Sequence, residues 1–510
     1  MSKIEPSTKI KDLNTLSKII TKIKKQGKKI VLCHGCFDLM HFGHIKHLQA
    51  AKKMGDVLVV TITPDCYIKR GPGRPVFNEK QRADSIAALD CADYVAINQW
   101  PTAEETLKTI RPDLYVKGSD FESVKSDATG RLDREASVVK SIGGKLIFTD
   151  EEIFSSTKLL KDHFDILPDK IKHFLSGFTQ KFTLEDVLDA IEGLKKLKVL
   201  IIGEPIIDEY NFCHLFQRAS KSTVVSSKFT HRETYPGGAL CVANHIAGFV
   251  KEVGLIGLLG KQNTKEYFIR TRLKKNIKLF PCYRDDGSTI IKSRFLERVF
   301  NQKMFEICSL NEQPINPELE KDVIKLFNKM VGGYDMVISA DFGHGFITNG
   351  IVNILCNNSP YLVVMAQSNS ANLGYNLITK YSRADYVVLD HEEIRLACHD
   401  QHGNLEDMVK KIALQLKCPK INTTLGHEGS LYYSKGSLYR VPALAWKIVD
   451  TIGAGDAVLA LTSPLTYLNV HPEIVAFVGN CAGSLAVQYL GNKETIQPSD
   501  MIKLIQSFMK

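Results

Sequence analysis

The chain has 510 residues, 44% hydrophobic and 24% charged, which predicts two or three domains each long enough to bury its own core and excludes a disordered protein. No run of about 18 apolar residues occurs, and the opening Met1-Ser2-Lys3-Ile4-Glu5 has no hydrophobic signal core, so the expectation is a cytoplasmic chain that does not enter a membrane. A net charge of +10 raises nucleic acid as a rival partner, yet the basic runs Lys22 to Lys29 and Lys195 to Lys198 lack interleaved aromatics, and steering of polyanionic small substrates explains the balance without nucleic acid.

In chain order, Lys29-Ile30-Val31-Leu32-Cys33 reads as a buried parallel strand, and Ile45, Leu48, Ala51 and Met54 recur at helical spacing. Between them lies Gly35-Cys36-Phe37-Asp38-Leu39-Met40-His41-Phe42-Gly43-His44. Two imidazoles therefore sit where a strand passes into a helix N-terminus, whose free N–H groups and dipole favour an anion. Displacing pyrophosphate from a nucleotide requires fixed donors for the charge on the α-phosphate and leaving group, and His41 and His44 supply them. Lys69, Arg74 and Arg82 are cations available for a triphosphate or a sugar phosphate, each alone open to the reading of a solvated surface charge.

Residues from about 10 to 165 resemble the cytidylyltransferase-like nucleotidyltransferases, and among them the adenylyltransferase domain of bifunctional ADP-heptose synthases. The resemblance runs on through Lys69-Arg70-Gly71-Pro72-Gly73-Arg74-Pro75-Val76, Gln81-Arg82, Val116-Lys117-Gly118-Ser119-Asp120 and Ser155-Ser156-Thr157-Lys158. It implies that Phe37 and Asp38 shape the nucleotide pocket, that His41 and His44 hold the phosphates, and that Ser155, Ser156 and Thr157 close over them. The fuller match to the heptose enzyme favours ATP, although cytidylyltransferases share the His-x-Gly-His core and CTP stays open.

The join is expected at 166–194 as a helical connector, between a nucleotidyltransferase domain at 1–165 and a second domain at 195–510. Asp169 to Phe178 has a helical pattern, Thr183-Leu184-Glu185-Asp186 resembles a capping box, and the Gly/Ser or Pro richness of a floppy linker is absent. The 12 cysteines are scattered without metal-ligand spacing, which predicts neither disulfide nor zinc site.

Near the far end stands Asp450-Thr451-Ile452-Gly453-Ala454-Gly455-Asp456-Ala457. A Gly-Ala-Gly turn leading into a helix presents N–H groups to an oxyanion, and Asp456 beside it can take a proton from a substrate hydroxyl. The string resembles the signature of the ribokinase-like (PfkB) sugar kinases, and companion segments cover roughly 195 to 510. By that resemblance Asp208, after the strand Val199 to Gly203, touches the sugar together with the glycine pair Gly237 and Gly238, and Ser339-Ala340-Asp341 follows. Asp390-His391-Glu392-Glu393 corresponds to the region near metal and phosphates, with Glu393 acting indirectly on the metal. Thr424, Gly426 and Gly429 line the ATP site with Gly453, Ala454 and Gly455, and Asn480 lies near the adenine. The resemblance implies ATP as substrate, Mg2+ as cofactor, and an α/β sandwich with a small β lid, for which Ser222 to Phe229 and Thr289 to Phe295 have the alternation.

Two departures stand on the sugar side. Heptose kinases follow the glycine pair with Ala-Ala-Asn where this chain has Ala239-Leu240-Cys241, and Asp-Pro-Lys is replaced by the run Ala366-Gln367-Ser368-Asn369. The expected whole is α/β, a Rossmann-like nucleotidyltransferase followed by a ribokinase-like sandwich, in the reverse of the usual domain order. Its expected work is a kinase step on a heptose 7-phosphate and adenylyl transfer to a heptose 1-phosphate, in a homo-oligomer joined through the lid. The alternative is a nucleotidyltransferase with a retired, regulatory or dimerising kinase-like domain.

Overall fold

The computed structural model describes residues 6–68, 74–118, 131–149, 167–216 and 226–509. Two compact units divide the chain, Met1–Pro168 with Ile502–Lys510, and Asp169–Met501.

The first unit is a five-stranded parallel sheet built from β1 (Ile30–Gly35), β2 (Val57–Ile62), β3 (Tyr94–Ile97), β4 (Leu114–Gly118) and β5 (Lys145–Thr149), in the order β3-β2-β1-β4-β5. Its central strands are apolar on both faces because both are covered. Val31, Cys33, Val60 and Val116 pack in one core layer with Leu48 and Ile86, while Ile30, Leu32 and Val59 pack in the other with Leu16 and Leu107. The strand order turns at β1, whose neighbours are β2 and β4, so the crevice beyond its carboxyl end is the topological position for a ligand. His34 to His44 occupy that end.

In the second unit the main sheet is built from β6 (Lys198–Gly203), β9 (Glu252–Gln262), β10 (Ile277–Ser288), β13 (Met336–Asp341), β14 (Leu362–Ala366), β15 (Tyr386–Asp390), β16 (Lys420–Thr424), β17 (Ser430–Ser434) and β18 (Ser437–Val441). These nine strands lie in the order β10-β9-β6-β13-β14-β15-β16-β17-β18. Pairing is parallel from β10 to β16 and antiparallel beyond. A smaller sheet consists of β7 (Pro205–Leu215), β8 (Ser227–Gly238), β11 (Ile290–Glu297) and β12 (Lys303–Ser309), in the order β12-β11-β7-β8. Of the alternating segments expected for it, Thr289 to Phe295 falls on β11 but for its first residue, and the end of Ser222 to Phe229 falls on β8, while Ser222 to Val225 lie outside the described residues. Side chains alternate across a strand, and with Lys292 opposite Asp208 and Arg294 opposite Tyr210, one face of this lid gathers two cations and an acid.

The segment expected as a connector is two helices, Asp169–Lys181 and Leu184–Gly193, and both belong to the second unit. Thr183 caps the second by accepting from Asp186 N–H, and Asp186 accepts in return from Thr183 N–H. Phe174 and Phe178 pack on Phe477 of helix Pro472–Ala486, with ring centroids 6.3 and 4.6 Å away. Aromatic burial, rather than linker stiffness, therefore orders this pair.

Candidate functional site

In the first unit, β1 ends in a turn where Phe37 and Leu39 both adopt left-handed backbone at φ 50°. Such conformations cost about 1–3 kcal/mol each and persist where surrounding structure imposes them. Phe37 meets the His44 ring edge-on at 5.5 Å, and His41 and His44 stack at 3.9 Å. His41 is the N-cap of helix Phe42–Lys52, and its Nδ1 accepts from Gly43 N–H at 3.1 Å. That bond places the proton of the neutral ring on Nε2, which is buried without a hydrogen-bond partner among the described residues. Burial, then the Arg74 charge, lowers the His41 pKa, so the neutral form is the one present at pH 7. A buried donor left unpaired is a group that a substrate oxygen can satisfy.

Asp38 is built into the protein rather than open to a ligand: its carboxylate accepts from Val76 N–H and Phe77 N–H and pairs with Arg74 Nε at 3.2 Å. It fixes the loop that carries Arg74 beside His41. Arg82 corrects the reading of an available cation. Buried at 1% exposure, it donates to Phe77 O, Cys36 O, Thr63 O and Asp65, so four of its five N–H groups brace the loops around the site and do not reach out for phosphate. Lys69, Ser155, Ser156 and Thr157 lie outside the described residues.

One group near the carboxyl end of β4 has no signal in the sequence, although its partner Lys117 lies in the Val116-Lys117-Gly118 string. Glu135, on helix Arg131–Ser141, pairs with Lys117 at 3.1 Å and accepts from Tyr115 OH at 2.8 Å and Ala103 N–H at 3.3 Å. Burial pushes its carboxyl up, but Lys117, His34 and the Tyr115 hydroxyl outweigh burial and hold it at about 2. Nothing local marks Glu135, because its partners come from other elements of the fold.

The second unit assembles its polar groups between the lid and the start of helix Ala454–Tyr467. Gly453 caps that helix at φ 84°, and the first turn leaves N–H groups without intrahelical partners. Asp456 is buried there, and burial, then the Asp208 carboxylate, raises its pKa to about 7. The Cys241 thiol, held well above its ordinary pKa by burial and then Asp456, donates to the Asp456 carboxylate. Asp208 accepts from Arg294 Nη1 at 2.6 Å and from Asn492 Nδ2 at 3.0 Å. Gly237 is required beside it, because a Cβ there would strike the Asp208 carboxylate, and Gly238, with φ 56°, lies against the Glu204 carbonyl.

Along the main sheet, Thr424 pairs with Ser430 across the turn that holds Gly426 and Gly429, and Asn480 donates to Ser430 Oγ at 2.7 Å. Gly429, with φ 99°, could carry no side chain without striking the Val441 carbonyl. These residues thus come together, as do Gly453 to Asp456 with Asp208 and Gly237. Glu393 forms a reciprocal cap with Asp390 and accepts from Ser368 N–H at 3.0 Å, so the Gln367 to Asn372 run is tied to it directly. Burial, then Asp390, raises Glu393 to about 8. Asp341 is likewise structural, taking Tyr381 OH, Asn376 and the Lys380 ammonium. Among the described residues no cluster of three or more His, Cys, Asp or Glu could hold a metal by itself.

The pfkB family carbohydrate kinase model matches residues 196–499, more than half of the chain. The chain belongs to the pfkB family. The cytidylyltransferase-like model matches residues 32–177. Bifunctional protein HldE of Geobacter sulfurreducens is 42% identical over 144 residues, and that of Citrifermentans bemidjiense 40% identical over 144 residues. Each alignment covers 28% of this chain and 28% of the relative, so the chain spans well under a third of the curated relatives it matches. Phosphofructokinase-2 from Escherichia coli is similar in fold to the pfkB region: the complex with substrates and products has a TM-score of 0.51 at 14% identity, covering 62% of this chain and 100% of that one, and a mutant form of the same enzyme has the same TM-score at 15% identity. The α/β reading of both units agrees with these likenesses.

Several pfkB-unit residues at the site had no place in the sequence reading. Arg294, Lys303 and Asn492 reach Asp208 or Asp450 from 86, 147 and 284 residues away. The string signature supplies the turn and Asp456, but pairing across such separations leaves no local pattern.

Proposed function

We propose that the chain is a bifunctional enzyme of nucleotide-activated sugar synthesis, most specifically of ADP-heptose. In the pfkB unit a sugar hydroxyl, the anomeric one of a heptose 7-phosphate, attacks the γ-phosphorus of ATP. Asp456 takes its proton, while the N–H groups at the Gly453–Gly455 turn meet the charge on the transferred phosphoryl group. Gly453, Ala454, Gly455, Thr424, Gly426, Gly429 and Asn480 form the nucleotide side; Asp208, Gly237 and Gly238 form the sugar side. Mg2+ ordinarily keeps phosphate and water ligands with one or two carboxylates, so a site without a carboxylate cluster fits it, with Asp390 and Glu393 nearest the role. When bound it neutralises phosphate charge.

In the first unit an oxygen of a sugar 1-phosphate displaces pyrophosphate from the α-phosphorus of ATP, with His41 and His44 as donors, Phe37 walling the pocket and Arg74 supplying positive charge. Lys69 and the Ser155 to Thr157 segment complete it in the resembling enzymes. A cytoplasmic location goes with the proposed substrates, ATP and sugar phosphates, and no helix among the described residues is long and apolar enough to cross a membrane. The lid offers Phe229, Phe305 and Ile307 exposed, which supports a homo-oligomer through that sheet.

The observation that carries the reading is Asp456, buried at a helix start with a pKa near neutrality and beside the acid that would hold the sugar. A panel of sugar phosphates with ATP and with CTP, read by mass spectrometry, tests it: a bisphosphate from heptose 7-phosphate and a nucleotidyl sugar from heptose 1-phosphate are the expected products. Nucleotidyl transfer without any phosphorylation would favour the retired-kinase reading.

A further inference from the structure

Position 241, where the resemblance to heptose kinases implies an amide, is a thiol in this chain, and that thiol is occupied with Asp456 rather than with the sugar acid. An amide nevertheless reaches Asp208. Asn492 Nδ2 donates to Asp208 Oδ2 at 3.0 Å, opposite the oxygen that Arg294 holds, and both side chains are buried. On its other side, the Asn492 Oδ1 lies against the Gly453 Cα, so that any side chain at 453 would collide with it. One amide thus spans the distance between the proposed sugar acid and the first residue of the anion turn.

The loop that presents it is fixed from below. Gly491 N–H donates to Asp450 Oδ2 at 3.0 Å, and Asp450 is itself held by Lys303 at 2.6 Å and Tyr210 OH at 3.3 Å. Gly491 has φ 53° and faces the Tyr210 hydroxyl with no room for a Cβ. Asn492 therefore has little freedom to turn elsewhere.

We propose that Asn492 is a positioning residue for the sugar-phosphate acceptor, supplying from the C-terminal side of the fold the amide that Cys241 no longer provides. Resting on the kinase reading above, this gives Asp208 two protein donors, one per oxygen. A carboxylate has about four acceptor directions, which leaves two for acceptor hydroxyls in a fixed orientation over the Gly453 turn. The Asn-to-Cys departure at 241 is then a relocation of a function and not its loss.

The test compares wild type, Asn492→Ala, Cys241→Asn and Cys241→Asn/Asn492→Ala with heptose 7-phosphate and Mg-ATP. Losing a hydrogen bond to a charged group corresponds to about ten- to hundred-fold in binding, so Asn492→Ala should raise the acceptor KM by that factor while the ATP KM stays within about two-fold. The double variant should recover part of the acceptor KM, which a merely structural role for Asn492 would not allow. Thermal melting accompanies each variant, and Asn492→Ser takes the place of the alanine form if that does not fold. An unchanged acceptor KM in Asn492→Ala, or equal rises in both KM values without rescue, overturns the inference while leaving the kinase reading intact. Wild type that phosphorylates no member of the panel overturns both.

Discussion

A histidine whose Nδ1 is spent on Gly43 carries its proton on Nε2, and that tautomer makes His41 a donor without needing positive charge. Removing one donor aimed at developing charge typically lowers the rate by about 10²–10³. His41→Ala should therefore lower kcat for nucleotidyl transfer by that amount at saturating substrate, with phosphorylation by the other unit unchanged, as a coupled pyrophosphate assay will read. Asp456 gives a second residue-scale prediction with a sign. Its pKa of about 7 lies above the ordinary 3.8, so the stability it contributes is fully present below that value and lost as pH rises through about 7. Asp456→Asn, neutral throughout, should then melt at a higher temperature than wild type at pH 8 and lose that advantage toward pH 4. Its kcat for phosphorylation should fall by orders of magnitude, and the wild-type kcat should rise with pH through an apparent pKa near 7. The residue types of both sites were legible in the sequence because a strand-turn-helix or Gly-Ala-Gly-Asp string is local. Arg82 was not, since a cation in a motif looks the same whether it faces phosphate or braces two loops, and only its four acceptors separate the cases.

Among elements, the lid strands and the loop after helix Pro472–Ala486 do most to position the pfkB site. β11 brings Arg294 to Asp208, β12 brings Lys303 to Asp450, and β7 brings Tyr210 to the same carboxylate. Gly491→Ala should displace this loop, both through its left-handed backbone and through collision with Tyr210, and we expect a lower melting temperature together with weaker acceptor binding by calorimetry. In the first unit, Glu135 is the comparable support. Its pKa of about 2 lies below the ordinary 4.5, so the stability it contributes is present above 4.5 and lost as pH falls toward 2. Glu135→Gln should melt below wild type at pH 7, with the gap closing in acid. The sequence predicted helices at 169–178 and after Thr183, and both stand, but it read them as a connector. Contacts such as those of Phe174 and Phe178 with Phe477 and of Lys181 with Glu473 assign them to the pfkB unit, and contacts some 300 residues distant in sequence have no periodicity to betray them.

For the whole molecule, the two units carry two proposed phosphate sites that share no motif: imidazoles at a strand-to-helix turn, and a glycine turn with a buried carboxylate. Each unit has its own sheet and core. The α/β class was readable from the sequence, since parallel strands buried on both faces are written as apolar runs. The relocated amide at Asn492 and the carboxylate at Glu135 were not, because they exist only once distant segments are folded together. The most direct test crosses two variants of the full chain with two reactions. With heptose 7-phosphate and Mg-ATP, Asp456→Asn should form no bisphosphate while His41→Ala forms it at the wild-type rate; with heptose 1-phosphate and ATP, the pattern should reverse, with mass spectrometry identifying the nucleotidyl sugar. Loss of both products in either variant, or of neither in both, would contradict the assignment of one chemistry to each unit.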